Sequence, residues 1–575
     1  MKNILAYLKD YKRESILAPL FKMLEALFEL FVPLVVADII DQGIGTRDIP
    51  YIIRMCLLLI LLAVIGLVFS ITAQYFASKA AVGTATLLRH SLFKHIQSLS
   101  YTEMDSVGTS TLITRMTSDI NQIQNGINLV LRLFMRSPFI VFGAMIMAFT
   151  IDVKAAMIFV VTIPLLSLVV FGIMLLTKPL YQRIQFSLDK ILRLTRENLS
   201  GVRVIRAFHK EEEELKGFRE ANESLTILQK YAGRFSGLMN PLTYIIINAA
   251  IIVLIWEGAV RVDRGRLTQG QVVALYNYMS QILVELIKLA NLIVSLTKAL
   301  ACAKRVSDIF AKKSSMAEGN VTASETQEYA VEFCGVSLKY ENAGEESLTD
   351  ITFQVRRGET VGIIGGTGSG KSSLANLVPR FYDATFGEVK INGINVRDYT
   401  FPALNRKVSV VPQSARLFQG TILDNLLMGD QEASEETITR ALKVSQAMEF
   451  VEARDGKLNA PVEQGGKNLS GGQKQRLTIA RALVKGADIL ILDDSASALD
   501  YATDAKLRRA IRELEPPPTV FIVSQRASSI MYADTIVVLE NGRIAGIGRH
   551  NDLLEQCEIY QEIYYSQFEK EAQQG

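Results

Sequence analysis

Residues 361–375 read VGIIGGTGSGKSSLA: an apolar strand, a glycine-rich turn and the opening of a helix. The turn fits G-x-x-x-x-G-K-[ST], and phosphate chemistry asks for those residue types at that spacing. Gly365, Gly366, Gly368 and Gly370, with Thr367 and Ser369 between them, let backbone N–H groups wrap a string of phosphates. Lys371 can reach the β and γ positions, and the hydroxyl of Ser372, followed by Ser373, can ligate Mg²⁺. Taken alone, the motif specifies a nucleoside triphosphate cradle.

Outward from this turn, VGII, KVSVV, ILILD and TVFIV alternate with amphipathic helical patterns and read as buried strands of a largely parallel sheet, hence an α/β domain. ILILD ends at Asp493, an acid leaving a buried strand where it can hold Mg²⁺ directly or through water. Leu469, Ser470, Gly471, Gly472 and Gln473 spell LSGGQ and lead into the helical pattern KQRLTIARALVKG. That is a second glycine-bearing helix start able to face phosphate. Residues 311–330, AKKSSMAEGNVTASETQEYA, have no strong periodicity and read as a linker, so the α/β domain runs over 331–575.

Residues 1–310 are of another kind. Six stretches, near 16–40, 52–76, 128–150, 154–177, 237–262 and 271–297, are apolar over the roughly 20 residues that a bilayer core requires. Basic residues at the N-terminus, including Lys2, Lys9, Lys12 and Arg13, and between spans two and three and four and five put those regions and both termini in the cytoplasm. The loop AVRVDRGRLTQG after span five is a local exception to that trend. The connections after spans two and four keep a helical pattern, and a second span continuous from 52 to 98 would be about 70 Å long. Glu25 with Glu29, Arg132 with Arg136, and Glu285 with Lys288 stand at helical spacing within the spans; such charges face a bundle interior, a wet cavity or one another. Trp256 and Glu257 mark an outer interface. Lys and Arg, 62 in all, nearly balance 59 Asp and Glu, so no nucleic-acid partner is indicated. Four scattered cysteines give neither a disulfide framework nor a zinc site.

The ordered set of motifs resembles the ATP-binding cassette family, and the resemblance covers almost the whole chain. It implies a six-helix transmembrane domain of the type I exporter fold followed by an α/β P-loop nucleotide-binding domain, a half-transporter with ATP and Mg²⁺ as cofactors. By that resemblance Gly365–Ser373 are the Walker A loop, Gln413 in VVPQSARLFQG is the Q-loop glutamine at a catalytic and Mg²⁺-contacting position, and Leu469–Gln473 are the signature. Asp493 closes Walker B with Ser372 as fellow metal ligand, Ser497–Asp500 form the D-loop, and Tyr340 in VSLKY stacks adenine. The segments around Tyr101–Ser106 and Ser200–Arg206 correspond to the family's short intracellular crossing helices, which transmit cassette closure to the membrane cavity.

Two departures from the family pattern bear on turnover. Asp494 follows Asp493 where the family places a glutamate, and Gln525 in IVSQR stands where it places a histidine. Aspartate is shorter by one methylene, about 1.5 Å of reach, whereas a catalytic base must come within about 2.6–3.2 Å of its target. Gln525 can hydrogen-bond a γ-phosphate but cannot become a cation near neutral pH. The family closes two cassettes head to tail, so this chain's own Walker face, with Lys371, Gln413, Asp494 and Gln525 as its catalytic group, is expected to be slow. Its intact LSGGQ would complete the site of a different half-transporter that carries the glutamate and histidine. The chain thus resembles the degenerate-site member of a bacterial heterodimeric exporter of drugs, lipids or other amphipathic compounds in the plasma or inner membrane. The alternative is a regulatory membrane protein gated by nucleotide that does not pump.

Overall fold

The computed structural model describes residues 6–341, 343–495 and 497–568; Lys2 of the basic N-terminal segment, Ala496 and the last seven residues expected in the α/β domain lie outside them. The chain divides into two compact units, residues 1–97 with 110–312 and residues 98–109 with 313–575.

The first unit is a helical bundle. Among the described residues, five helical stretches are long and apolar enough to cross a membrane: Ile49–Gln97, Thr109–Ile151, Val153–Ser200, Glu211–Asp263 and Gln269–Ala311. Ile49–Gln97 has 49 residues, about 73 Å at 1.5 Å per residue, so the expected unbroken second span is present. Its apolar half is exposed along its length, as Leu57, Ile60, Leu61 and Leu67 show. Such a surface suits hydrocarbon rather than water. The first expected span is the helix Lys12–Asp38, 27 residues long. Lys22, which the periodicity alone does not single out, joins Glu25 and Glu29 within two turns and puts three charges into the middle of this helix. Small residues line the bundle interior: Ala26, Ala144, Ala148, Ala155, Ala250 and Ala274 pack among Leu30, Ile140, Phe159, Leu254 and Tyr278. They let helices approach closely where lipid offers no hydrophobic drive for association.

Pairing across helices accounts for most intramembrane charges. Arg136 donates to Glu285 and to Glu29, each at 2.7 Å, and Glu285 also accepts from Ser137 at 2.7 Å and Lys288 at 2.8 Å. Lys22 pairs with Glu25. Arg261, expected in the loop that departs from the positive-inside trend, lies instead in the last turn of the helix Met239–Asp263, where it is buried and donates to Asp152 at 2.5 Å and Glu257 at 3.0 Å, so its charge is compensated.

The second unit holds a six-stranded sheet ordered Arg543–Gly548, Thr535–Glu540, Thr360–Gly365, Thr519–Val523, Ile489–Asp493, Val408–Val411. All neighbours are parallel except the first pair. The four strands expected from the sequence are its four consecutive members, and their near-continuous burial fits a sheet covered on both faces. A second, antiparallel sheet is built from Leu348–Arg356, Tyr329–Leu338, Phe386–Ile391 and Ile394–Asn395. Part of the expected linker is strapped to this unit. Gly319 N–H and Val321 N–H donate to the carbonyls of Tyr399 and Asp398, and Arg380 holds the Ala317 carbonyl at 2.8 Å.

Residues 98–109, drawn from between two membrane helices, cluster with this unit. Their helix, Tyr101–Val107, begins with a capping box in which Ser100 and Glu103 satisfy each other. Glu103 also accepts from Ser315 N–H at 3.1 Å, and its carboxyl lies below the usual range because those hydrogen bonds outweigh burial, the largest single effect. Tyr101 packs on Phe381, and Asp105 accepts from the Tyr382 hydroxyl at 2.7 Å. The other expected crossing segment is the short, largely exposed helix Val202–Ala207 of the bundle unit.

Candidate nucleotide site

The glycine turn sits at the C-terminal end of a central strand, the place where parallel α/β sheets bind ligands. Its backbone needs glycine: Gly368 and Gly370 have φ of 83° and 96°. A Cβ at Gly370 would meet the Ser347 carbonyl at 2.6 Å, and one at Gly365 would collide with the Leu539 carbonyl. Gly366, Thr367 and Gly368 are exposed while Ser369 and Lys371 are buried, so the turn is open on one side and anchored on the other. Lys371 Nζ donates to the carbonyls of Gly365 at 3.0 Å and Gly366 at 2.7 Å, which curls the ammonium back into the concavity of the loop. Burial pulls Lys371 below the ordinary lysine range, and the nearby carboxylates of Asp494 and Asp493 act against that shift.

Ser372 Oγ donates to Asp493 Oδ1 at 3.0 Å, so the two expected metal ligands meet although 121 positions separate them. A hydroxyl and a carboxylate are the hard oxygen donors that suit Mg²⁺. Burial pushes the Asp493 carboxyl above its usual value and Asp494 adds to this, while the Ser372 hydrogen bond and Lys371 oppose it. Among the described residues no cluster of three or more His, Cys, Asp or Glu is placed to hold a metal. A cation here would need oxygens from phosphate and water, which is the ordinary habit of Mg²⁺. The donor set and the glycine cradle both fit a magnesium nucleotide.

Asp494 is a non-glycine residue at φ 45°, in the left-handed region. Its N–H donates to the Val523 carbonyl at 2.9 Å, and its own carbonyl accepts from Ser497 Oγ at 2.8 Å and Ser497 N–H at 3.2 Å. Gln413 Nε2 donates to Asp494 Oδ2 at 3.3 Å. The structure thus brings Gln413 to Asp494, the residue that follows Asp493, and the amide oxygen of Gln413 makes no hydrogen bond among the described residues. Gln525 is exposed just past the strand Thr519–Val523; its backbone carbonyl accepts from Gln567, and its side chain makes no hydrogen bond among the described residues.

Tyr340 is half-buried, its hydroxyl donates to Ser373 Oγ at 3.0 Å, and the ring of Tyr382 meets it edge-on at 5.0 Å. Tyr382, which no sequence motif singles out, therefore touches both the expected adenine platform and Asp105. Ser470 caps the helix Gly471–Val484 in a capping box with Gln473: Ser470 Oγ accepts from Gln473 N–H at 3.3 Å, and Gln473 Oε1 from Ser470 N–H at 3.1 Å. Leu469 is buried, whereas Ser470 and Gly471 are exposed and Gly472 half-buried, so the signature presents its glycines outward. Asp500 caps the helix Tyr501–Arg512 through Thr503 N–H, and those bonds hold its carboxyl below the usual range.

A mononucleotide cradle joined to a bundle of membrane-length helices is the build of a transporter powered by ATP. Comparison with known proteins gives that class its name: residues 15–286 match the ABC transporter transmembrane region and residues 348–497 the ABC transporter model of the ATPase domain. The chain is 35% identical to an uncharacterized ABC transporter ATP-binding protein of Mycobacterium tuberculosis (strain CDC 1551 / Oshkosh), over 98% of this chain and 97% of that one. It belongs to the ATP-binding cassette transporter family. It is also 28% identical to the ATP-dependent lipid A-core flippase of Escherichia coli (strain K12), over 97% and 96% of the two chains. Its fold is that of a bacterial Atm1-family ABC exporter solved with ATP bound, with a TM-score of 0.81 over 97% of this chain and 99% of that one at 23% identity.

Proposed function

We propose that this chain is the degenerate-site half of a heterodimeric ATP-driven exporter of amphipathic compounds. Its cassette and both termini are cytoplasmic and its bundle lies in the cell membrane. Gly365–Ser373 hold the phosphates, Ser372 and Asp493 hold Mg²⁺, Tyr340 offers the adenine platform, and Gln413 orients Asp494. Bound nucleotide supplies the phosphoanhydride whose hydrolysis resets the transporter. The chain's own residues bind it and exclude competing geometry, but they place a short carboxylate where a water must be polarised. The observation that carries this reading is Asp494, fixed at φ 45° with its N–H and carbonyl both hydrogen-bonded. Backbone movement cannot bring its carboxylate forward by the missing methylene without breaking those bonds.

The capped LSGGQ helix start remains intact for a dissimilar partner, a half-transporter with glutamate and histidine at the corresponding positions. Two copies of this chain would assemble two slow sites. The exporter assignment draws support from the full-length likeness to the lipid A-core flippase and from the exporter fold. Affinity purification of the tagged full-length chain from its native membrane tests the pairing. A second half-transporter recovered in equal amount, with phosphate release far faster for the pair than for this chain alone, is the expected result. A homodimer with brisk release would refute it.

A further inference from the structure

Pairing sorts the ionisable groups of the bundle into two sets. Arg136, Lys288 and Lys22 are matched by Glu285, Glu29 and Glu25. Near the cytoplasmic ends of spans three and six, Asp119 is taken up by Arg305, at 2.6 and 2.9 Å, and by Arg115 at 2.9 Å. Arg132 and Lys298 form no ion pair among the described residues, and Arg132 Nε is buried without a hydrogen-bond partner. Lys298 lines a cavity, and Arg132 stands one helical turn beyond its lining residue Asn128. Helix Ile120–Leu133 approaches helix Gln269–Ala311 so closely at Gly126 that a Cβ there would collide with Ala299. Beside that contact lies a space of about 340 Å³ lined by Gln122, Asn125, Asn128, Leu129, Ser295 and Lys298.

At 100° per residue, Gln122, Asn125, Asn128 and Arg132 fall on one helix face, Arg132 one turn beyond the cavity lining. Helical side chains lean toward the N-terminus, which carries the Arg132 stem back over the Asn128 turn. The cavity has the size of a small-ligand pocket. It holds amide donors and a lysine, with a second cation one turn away and no carboxylate in its lining. Resting on the transporter reading above, we propose that this cavity recognises the anionic, phosphate-class head of the transported compound, with Lys298 and Arg132 as the charge-matching residues. The matched set around Arg136 instead holds the helices together.

The test uses the full-length chain with its partner in detergent, titrated with fluorescent phosphatidic acid, phosphatidylcholine and a quaternary-ammonium lipid of equal chain length. Wild type should prefer phosphatidic acid by about tenfold or more. Lys298→Gln and Arg132→Gln should each weaken phosphatidic acid about tenfold, or about 1.4 kcal/mol, with phosphatidylcholine binding unaltered as a control for folding. Lys298→Arg should keep the preference. Competition by glycerol 3-phosphate would assign a soluble phosphate compound as the cargo; failure to compete would assign a lipid head that needs its chains. Equal binding of the three lipids by wild type, or an undiminished preference in both glutamine variants, overturns the proposal. ATP-driven movement of amphiphiles without charge preference would sink this inference alone, whereas no ATP-driven movement of any amphiphile would sink the transporter reading.

Discussion

On the reading proposed above, replacing Asp494 by glutamate should speed phosphate release at this chain's Walker face. The peptide at Asp494 is tied to Val523 on one side and to Ser497 on the other, so the backbone should hold while the carboxylate advances by about 1.5 Å along the added methylene. The Gln413 amide, 3.3 Å from the present carboxylate, sits at the outer limit of a hydrogen bond and gains a closer partner. A displacement near 1 Å from productive geometry costs on the order of a hundredfold in rate, or about 2.7 kcal/mol of barrier. The expected gain for Asp494→Glu is therefore up to about a hundredfold in phosphate release, with little change in the nucleotide concentration at half-saturation because the cradle is untouched.

The assay is single-turnover phosphate release from the purified full-length transporter, with the glutamate of the proposed partner replaced by glutamine so that only this Walker face is read. Asp494→Ala serves as the floor. If the short carboxylate is already idle, alanine leaves the slow rate within a few-fold of wild type. A glutamate variant no faster than wild type, together with an alanine variant slower by about a hundredfold, would show that aspartate already acts as the base and would refute the reasoning.

Asp493 makes a prediction about stability. Its folded-state carboxyl titrates above the unfolded value of about 3.9. The stability it contributes is therefore present below that value and lost as pH rises through the folded pKa. Asp493→Asn should thus raise the melting temperature of the nucleotide-free transporter at pH 7, with the gain shrinking toward pH 4, and should diminish the upward shift that magnesium ATP produces; a lower melting temperature without nucleotide at pH 7 contradicts this. In the bundle, Arg136→Gln leaves Glu285, whose side chain is only 2% exposed, with Lys288 and Ser137 as its partners, and should destabilise by less than the roughly 3–5 kcal/mol of a fully broken buried pair. The double variant Arg136→Met with Glu285→Leu should recover part of that loss in thermal unfolding, since it removes both buried charges and leaves only the more exposed Glu29 and Lys288 without these partners.

What the residues announce by themselves is whatever depends on local chemistry. The glycine turn is legible because Gly368 and Gly370 occupy backbone conformations that side chains resist. Asp493 is legible because a carboxylate closing an unbroken apolar strand is costly to bury unless a cation or a hydrogen bond compensates it. The helix Ile49–Gln97 is legible from its uninterrupted apolar period. Contacts between distant positions leave no such mark. Nothing near Tyr382 announces Asp105, 277 residues earlier, and nothing near Glu285 says that Arg136 rather than Lys288 alone will meet it. Lys22 is easily missed because a single lysine in an apolar stretch looks tolerable until its neighbours Glu25 and Glu29 are counted with it. The strap at 317–321 lacks periodicity because it is held by backbone hydrogen bonds, which make no demand on residue type.

The affiliation of residues 98–109 with the unit of residues 313–575 bears on how this protein can be taken apart. The polypeptide passes between the two units three times, so severing it near residue 312 does not separate them cleanly. An ATPase fragment produced from residue 313 onward would lack the helix Tyr101–Val107 and would uncover Phe381 and the Tyr382 hydroxyl together. That bare aromatic patch would make the fragment sticky in solution. Supplying the missing dodecamer as a synthetic peptide should restore its good behaviour.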